Sequence, residues 1–147
     1  MRRRFAAAAI FLSTLTTPAQ DWPQFGGPTG DFTLPSAPIA STWPATGPKQ
    51  LWKRLLGDGY SGIAVEKGVL YTMYSLKQEE FAVALDATTG KTKWEVSWDK
   101  SGPRLDLSNG PGPHTTPLIL ADRIITIGIR ARMSALDKAT GKILWTK

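Results

Sequence analysis

Gly57-Asp58-Gly59-Tyr60-Ser61-Gly62 spells G-x-G-x-x-G, the spacing that brings backbone N–H groups against a dinucleotide pyrophosphate. That chemistry needs a helix opening directly behind the last glycine. Here Ile63 to Tyr71 come next, two apolar runs around Glu66-Lys67-Gly68, and these read as a hairpin. The motif is therefore expected to be a glycine-rich approach to an inner strand, where space is short. Gly110-Pro111-Gly112-Pro113-His114-Thr115-Thr116-Pro117 aligns with it and reads the same way. His114 is the only histidine, and the chain has no cysteine to share a metal with it. At the mouth of an inner strand it is the one candidate for touching a ligand; otherwise it is structural. Asp99, Arg104 and Asp106 read as solvated loop charges. No Asp-x-Asp-x-Asp-Gly calcium loop is present, and no catalytic set emerges.

Asp86 and Asp137 occupy the same place in a phrase that occurs twice. Residues 84–94 and 135–145 agree at seven of eleven positions, including Asp-x-x-Thr-Gly-Lys-x-x-Trp, at an offset of 51. A self-match at that period marks a repeat architecture. Catalytic groups are rarely copied into every repeat, so the aspartates are expected to build turns. Each would accept N–H groups two or three residues on, as an Asx-type turn. Thr89 and Thr140 recur in the same turn, while Gly90 and Gly141 supply the positive φ of a tight hairpin. Lys91 and Lys142 would start the outer strand, where charge protects an edge. Trp94 and Trp145 would sit on that strand's buried face, each indole N–H reaching a backbone carbonyl.

These turns need strands on both sides, and the pattern supplies them. Phe81, Val83 and Leu85 alternate with Ala82 and Ala84; Trp94, Val96 and Trp98 alternate with polar residues. Strands are predicted near 60–66, 68–76, 79–87 and 91–98, then near 115–121, 123–129, 132–138 and 142–147. Each unit is a four-stranded antiparallel meander, the first over 60–98 and the second over 114–147, with a link at 99–113. Leu51-Trp52-Lys53 resembles Leu144-Trp145-Thr146, so residues 51–56 read as a lone fourth strand. Residues 20–50 carry six prolines and read as an extended arm, pinned to the body by Trp22, Phe25 and Trp43.

The N-terminus has the grammar of a secretory signal. Arg2, Arg3 and Arg4 precede an apolar run from Phe5 to Leu15, and Thr17-Pro18-Ala19 offers a cleavage point. Residues 1–19 are thus expected to be removed, leaving no membrane-spanning segment and a periplasmic or extracellular protein. The formal charge of +6 then falls to +3, with charges interspersed. Such a surface excludes the basic stripe of a nucleic-acid binder. With no cysteine, the exported chain holds together without disulfides.

Ala-x-Asp-x-x-Thr-Gly-Lys-x-x-Trp resembles the repeat of quinoprotein-type β-propellers. These include the pyrroloquinoline-quinone (PQQ) dehydrogenases, the outer-membrane-protein assembly propeller and many secreted proteins. Asp21-Trp22-Pro23-Gln24-Phe25 also resembles the start of the secreted members. The resemblance covers residues 51–147. It implies an all-β fold, a partial propeller of about two blades plus one strand (51–147), in which the tryptophan docks one blade on the next. Rings close with four to eight blades of about 40–50 residues. The chain is therefore expected to be a fragment of a ring of about six to eight blades, with roughly 250–350 residues missing at that repeat length. The expected function is an exported, non-enzymatic binding or assembly scaffold, with a protein or peptide partner on the loop face. The rival is a periplasmic PQQ-dependent alcohol or sugar dehydrogenase with its catalytic blades outside this chain. PQQ with Ca²⁺ would belong to that longer protein, and none of its ligands maps onto these residues.

Overall fold

The computed structural model describes residues 20–34, 41–100, 108 and 110–147. The signal segment 1–19, Arg104 and Asp106 lie outside the described residues. Among the described residues every element is a strand. The first sheet holds β1 (Ala64–Glu66), β2 (Val69–Leu76), β3 (Glu79–Asp86) and β4 (Thr92–Lys100). The second holds β5 (Leu118–Ile119), β6 (Arg123–Ile127), β7 (Met133–Asp137) and β8 (Ile143–Thr146). Both are antiparallel meanders in sequence order, as the alternation predicts. The fold is all-β, two four-stranded blades standing side by side.

Both faces of the first blade are covered, and β3 shows how. Its small residues Ala82 and Ala84 face the second blade, where they join Tyr71, Trp94, Ile124 and Leu136 in one core. Its larger residues Phe81, Val83 and Leu85 face the other way, packing with Tyr74, Trp52 and Leu56. Alanines on one side let the neighbouring sheet approach closely. Neither sheet encloses a core alone, which is the physical reason for stacking.

Each outer strand carries a β-bulge at the same repeat position. Between Ala84↔Trp94 and Leu85↔Thr92, the outer strand has one extra residue, Lys93. Between Ala135↔Trp145 and Leu136↔Ile143 the extra residue is Leu144. A second bulge in β4 falls at Trp98, between Glu80↔Asp99 and Phe81↔Ser97. A bulge puts two residues opposite one and re-aims the side chains beyond it. Trp98 and its neighbour Asp99 are consequently both buried, 4 % and 7 % exposed.

Several sequence expectations need correction. Asp99 is not a solvated loop charge, and β4 runs through Lys100, so the link begins later than residue 99. Residues 51–56 form no strand, because the described residues offer no partner strand for a ladder, although Trp52 packs as expected. Trp145 is half-buried, not buried; no further turn lies over it among the described residues. Of the three aromatic anchors expected in the arm, Trp22 is one: it forms an isolated bridge with Val65, flanked by Asp21, whose Oδ1 accepts the N–H of Lys67, and by Pro23, whose carbonyl accepts the N–H of Ile119. Phe25 and Trp43 are 73 % and 59 % exposed and pin nothing to the core.

Candidate functional site

The repeated aspartates do the turn work their spacing suggests. Asp86 Oδ1 accepts the N–H of Thr88 at 3.1 Å, the N–H of Thr89 at 2.9 Å and the Thr89 hydroxyl at 2.8 Å. Asp137 Oδ1 accepts Ala139 N at 3.1 Å, Thr140 N at 2.8 Å and the Thr140 hydroxyl at 2.7 Å. The threonine hydroxyl, then the backbone donors, hold both carboxyls below their ordinary value. Gly90 and Gly141 close the turns at φ 69° and 74°.

Each turn is also a dock. Trp94 of the first blade donates its indole N–H to Lys138 O in the second blade's turn, at 3.0 Å. Trp52 donates to Ala87 O in the first blade's turn, at 2.9 Å. Ala87 and Lys138 both come directly after the turn aspartate, so the two contacts are copies of one. Seven of the eight residues of the repeat set take part in these turns and docks, and the eighth, Trp145, is half-buried.

His114 stands elsewhere, where the approaches to β1 and β5 meet. Tyr60 N donates to Pro113 O at 2.9 Å, and the Gly112 Cα lies against the Asp58 backbone. The glycines are there because the two segments touch, as their spacing suggests. The His114 imidazole is exposed, lies 3.2 Å from Gly110 O through Nε2, and packs on the Tyr60 ring at 5.1 Å. It lines a cleft of about 600 Å³ with Phe25, Phe32, Tyr60, Ile63 and Thr116. Phe25 and Phe32 pack edge to face at 5.1 Å. Four large apolar side chains here are open to solvent: Phe25, Phe32, Tyr60 and Ile63. A concentration of exposed aromatics is a binding surface far more often than a chemical centre.

A second cluster has no counterpart among the sequence expectations. Glu80 is fully buried, and both its oxygens accept the Ile129 N–H of the opposite blade, at 3.1 and 3.3 Å. Asp99 lies across the ladder from it and pairs with Arg132 at 3.5 Å. A Cβ on Gly128 would meet Glu80 Oε2 at 2.5 Å and Asp99 Oδ2 at 3.0 Å, so only glycine admits both carboxyls. Burial, opposed by the Ile129 donor and helped by Asp99, raises the Glu80 carboxyl above its ordinary value. No residue-type signal marks this pair, because Asp99 falls on the polar phase of β4 with Lys93, Glu95 and Ser97.

The donors present do not fit Ca²⁺ with a quinone. The His114 cleft offers an imidazole, a phenol and hydroxyls, whereas Ca²⁺ takes six to eight oxygens rich in carboxylate. Glu80 is held by Ile129 and Asp99 Oδ1 by Arg132, and the described residues hold no group of three candidate metal ligands.

Comparison with known proteins agrees with the repeat. A PQQ-repeat family model, described as outer membrane protein assembly factor BamB, matches residues 78–147. The match covers less than half of the chain, so the likeness to that repeat belongs to residues 78–147 alone. Among solved structures, BamB from Moraxella catarrhalis is similar at 22 % identity and a TM-score of 0.46, over 60 % of this chain and 23 % of that one. A europium-containing methanol dehydrogenase is similar at 26 % identity and a TM-score of 0.42, over 58 % of this chain and 14 % of that one. The chain spans less than a quarter of either protein's length. No curated protein matches it.

Proposed function

We propose that the propeller containing these two blades is an exported, non-enzymatic scaffold that binds a protein or peptide segment. The observation that carries this reading is the cleft of exposed aromatics around His114, built where the inner strands begin. Its lining holds apolar area, two threonines and one imidazole, which suits shape and stacking recognition. Export rests on the arginine-led apolar segment at residues 1–19. No helix among the described residues is long and apolar enough to cross a membrane.

The test displays a random peptide library to the immobilised full chain and to a Phe25→Ala/Tyr60→Ala variant. Peptides enriched on the first and lost on the second support the scaffold. Equal enrichment on both would overturn the assignment of the cleft. Dye reduction with alcohols or sugars, after loading the full chain with PQQ and Ca²⁺, would overturn the non-enzymatic reading.

A further inference from the structure

The end of β4 and the β6–β7 hairpin border a cavity of about 580 Å³ lined by Ser97, Trp98, Asp99, Lys100, Arg130 and Arg132. Three of these side chains are cations and one is a carboxylate. Asp99 holds Arg132, while the Lys100 and Arg130 side chains are exposed and make no ion pair among the described residues. The hairpin that presents both arginines is fixed in place. Glu80 grips Ile129 N, and the turn closes through Gly128 N to Arg132 O and Ala131 N to Gly128 O, both at 2.9 Å. An independent observation points the same way. Trp98 and Asp99 line the cavity and are 4 % and 7 % exposed, yet among the described residues the Trp98 indole N–H and Asp99 Oδ2 have no hydrogen-bond partner. Buried polar atoms are nearly always paired, so this wall has bonding capacity left over: the indole N–H for an acceptor such as a carboxylate, and the Asp99 oxygen for a donor such as a peptide N–H.

Topology relates this cavity to the aromatic cleft. In a four-stranded meander the end of the last strand, the turn between the second and third, and the start of the first all lie at one end. The β4 end, the β6–β7 hairpin and the approaches to β1 and β5 therefore share one end of the two sheets. We infer that the cavity docks acidic side chains of a peptide segment whose apolar residues occupy the aromatic cleft. Charge complementarity selects the occupant: guanidinium forks match carboxylates in two-point geometry, and two of the three cations make no ion pair among the described residues. The inference rests on the binding reading above and names the chemistry of its partner.

The test measures binding of the full chain to a labelled peptide of two phenylalanines and four glutamates. The control carries glutamine for every glutamate. The glutamate peptide is expected to bind at least about tenfold more tightly at low salt, an advantage that shrinks as salt is added. Lys100→Gln/Arg130→Gln is expected to remove most of that advantage and leave the glutamine peptide unchanged. Equal binding of the two peptides, no binding of either, or an unaffected double variant would overturn the inference. So would displacement of the glutamate peptide by inorganic phosphate at concentrations below those of the peptide itself, which would assign the cavity to a free oxyanion. Should the double variant fail to fold, the wild-type salt response decides: an affinity unchanged between about 20 and about 300 mM salt overturns it. Loss of both peptides in Phe25→Ala/Tyr60→Ala, with no effect of the charge variant, would remove the acidic site and leave the aromatic one standing. Quinone-dependent dye reduction would sink the scaffold reading without altering the charge comparison.

Discussion

The indole of Trp94 lies directly on Gly141, so that a Cβ there would come within 2.6 Å of the ring. The same relation holds between Trp52 and Gly90, at 2.7 Å. Each turn glycine therefore answers two demands, a left-handed backbone and the close approach of a tryptophan from the preceding unit. The sequence suggests only the first.

Gly141→Ala and Gly68→Ala separate these demands. Gly68 also has positive φ, 75°, but nothing lies within 4 Å of its missing Cβ. Its substitution is expected to cost about 1–2 kcal/mol, the penalty of left-handed backbone alone. Gly141→Ala adds overpacking against the indole, for a total of about 2–4 kcal/mol. Denaturant unfolding of the two variants checks the order.

Trp94→Ala is expected to cost about 3–5 kcal/mol, because it empties the space between blades and orphans the Lys138 carbonyl. Lys93→Ala, one residue away but exposed on the bulge, is expected to stay within about 0.5 kcal/mol of wild type. Equal costs in the same unfolding experiment would show that the indole does not bridge the blades.

Glu80 makes the inter-blade contact pH-dependent in a defined direction. Its raised carboxyl binds a proton more readily in the folded chain than in the unfolded one. Stability from this group is thus full below the ordinary glutamate value and is lost as pH rises through the raised one. Glu80→Gln keeps an acceptor for Ile129 and removes the charge, so it should flatten that loss. Glu80→Ala leaves the Ile129 N–H unpaired beside a cavity and is expected to cost about 2–4 kcal/mol. Unfolding midpoints across pH distinguish the variants; a Glu80→Gln profile parallel to wild type would refute the assignment.

The turn aspartates act in the opposite sense. The carboxyls of Asp86 and Asp137 are held below their ordinary value, so their contribution is present above that value and fades as pH falls toward the depressed one. Asp86→Asn and Asp137→Asn should each make acid unfolding less steep. The same pH series reads this effect, in the window below that of Glu80.

The legible part of the fold is local. The eight strands and the two Asx turns come from alternation and from Asp-x-x-Thr-Gly, because short-range hydrogen bonds decide them. Reading Trp94 as a docking residue also needs only the repeat. Asp99 reads as a loop charge because an extra residue at Trp98 shifts the phase of β4, and no residue-type pattern announces that bulge. The burial of Glu80 is hidden for a related reason: its partner Ile129 lies 49 residues away, in the other blade. Residues 51–56 keep the composition of a strand but find no ladder to join among the described residues. The aromatic cleft joins the arm to two strand approaches, a juxtaposition that only the folded chain displays.

A double-mutant cycle between Trp94→Ala and Gly141→Ala probes the inter-blade dock most directly. With the indole removed, the alanine at 141 should suffer only backbone strain, so its cost should drop by about 1 kcal/mol or more relative to the wild-type background. Gly68→Ala, taken through the same cycle, should not change. Additivity of Trp94→Ala and Gly141→Ala to within about 0.3–0.5 kcal/mol would mean that the two residues do not touch, and that these blades are not joined in this way.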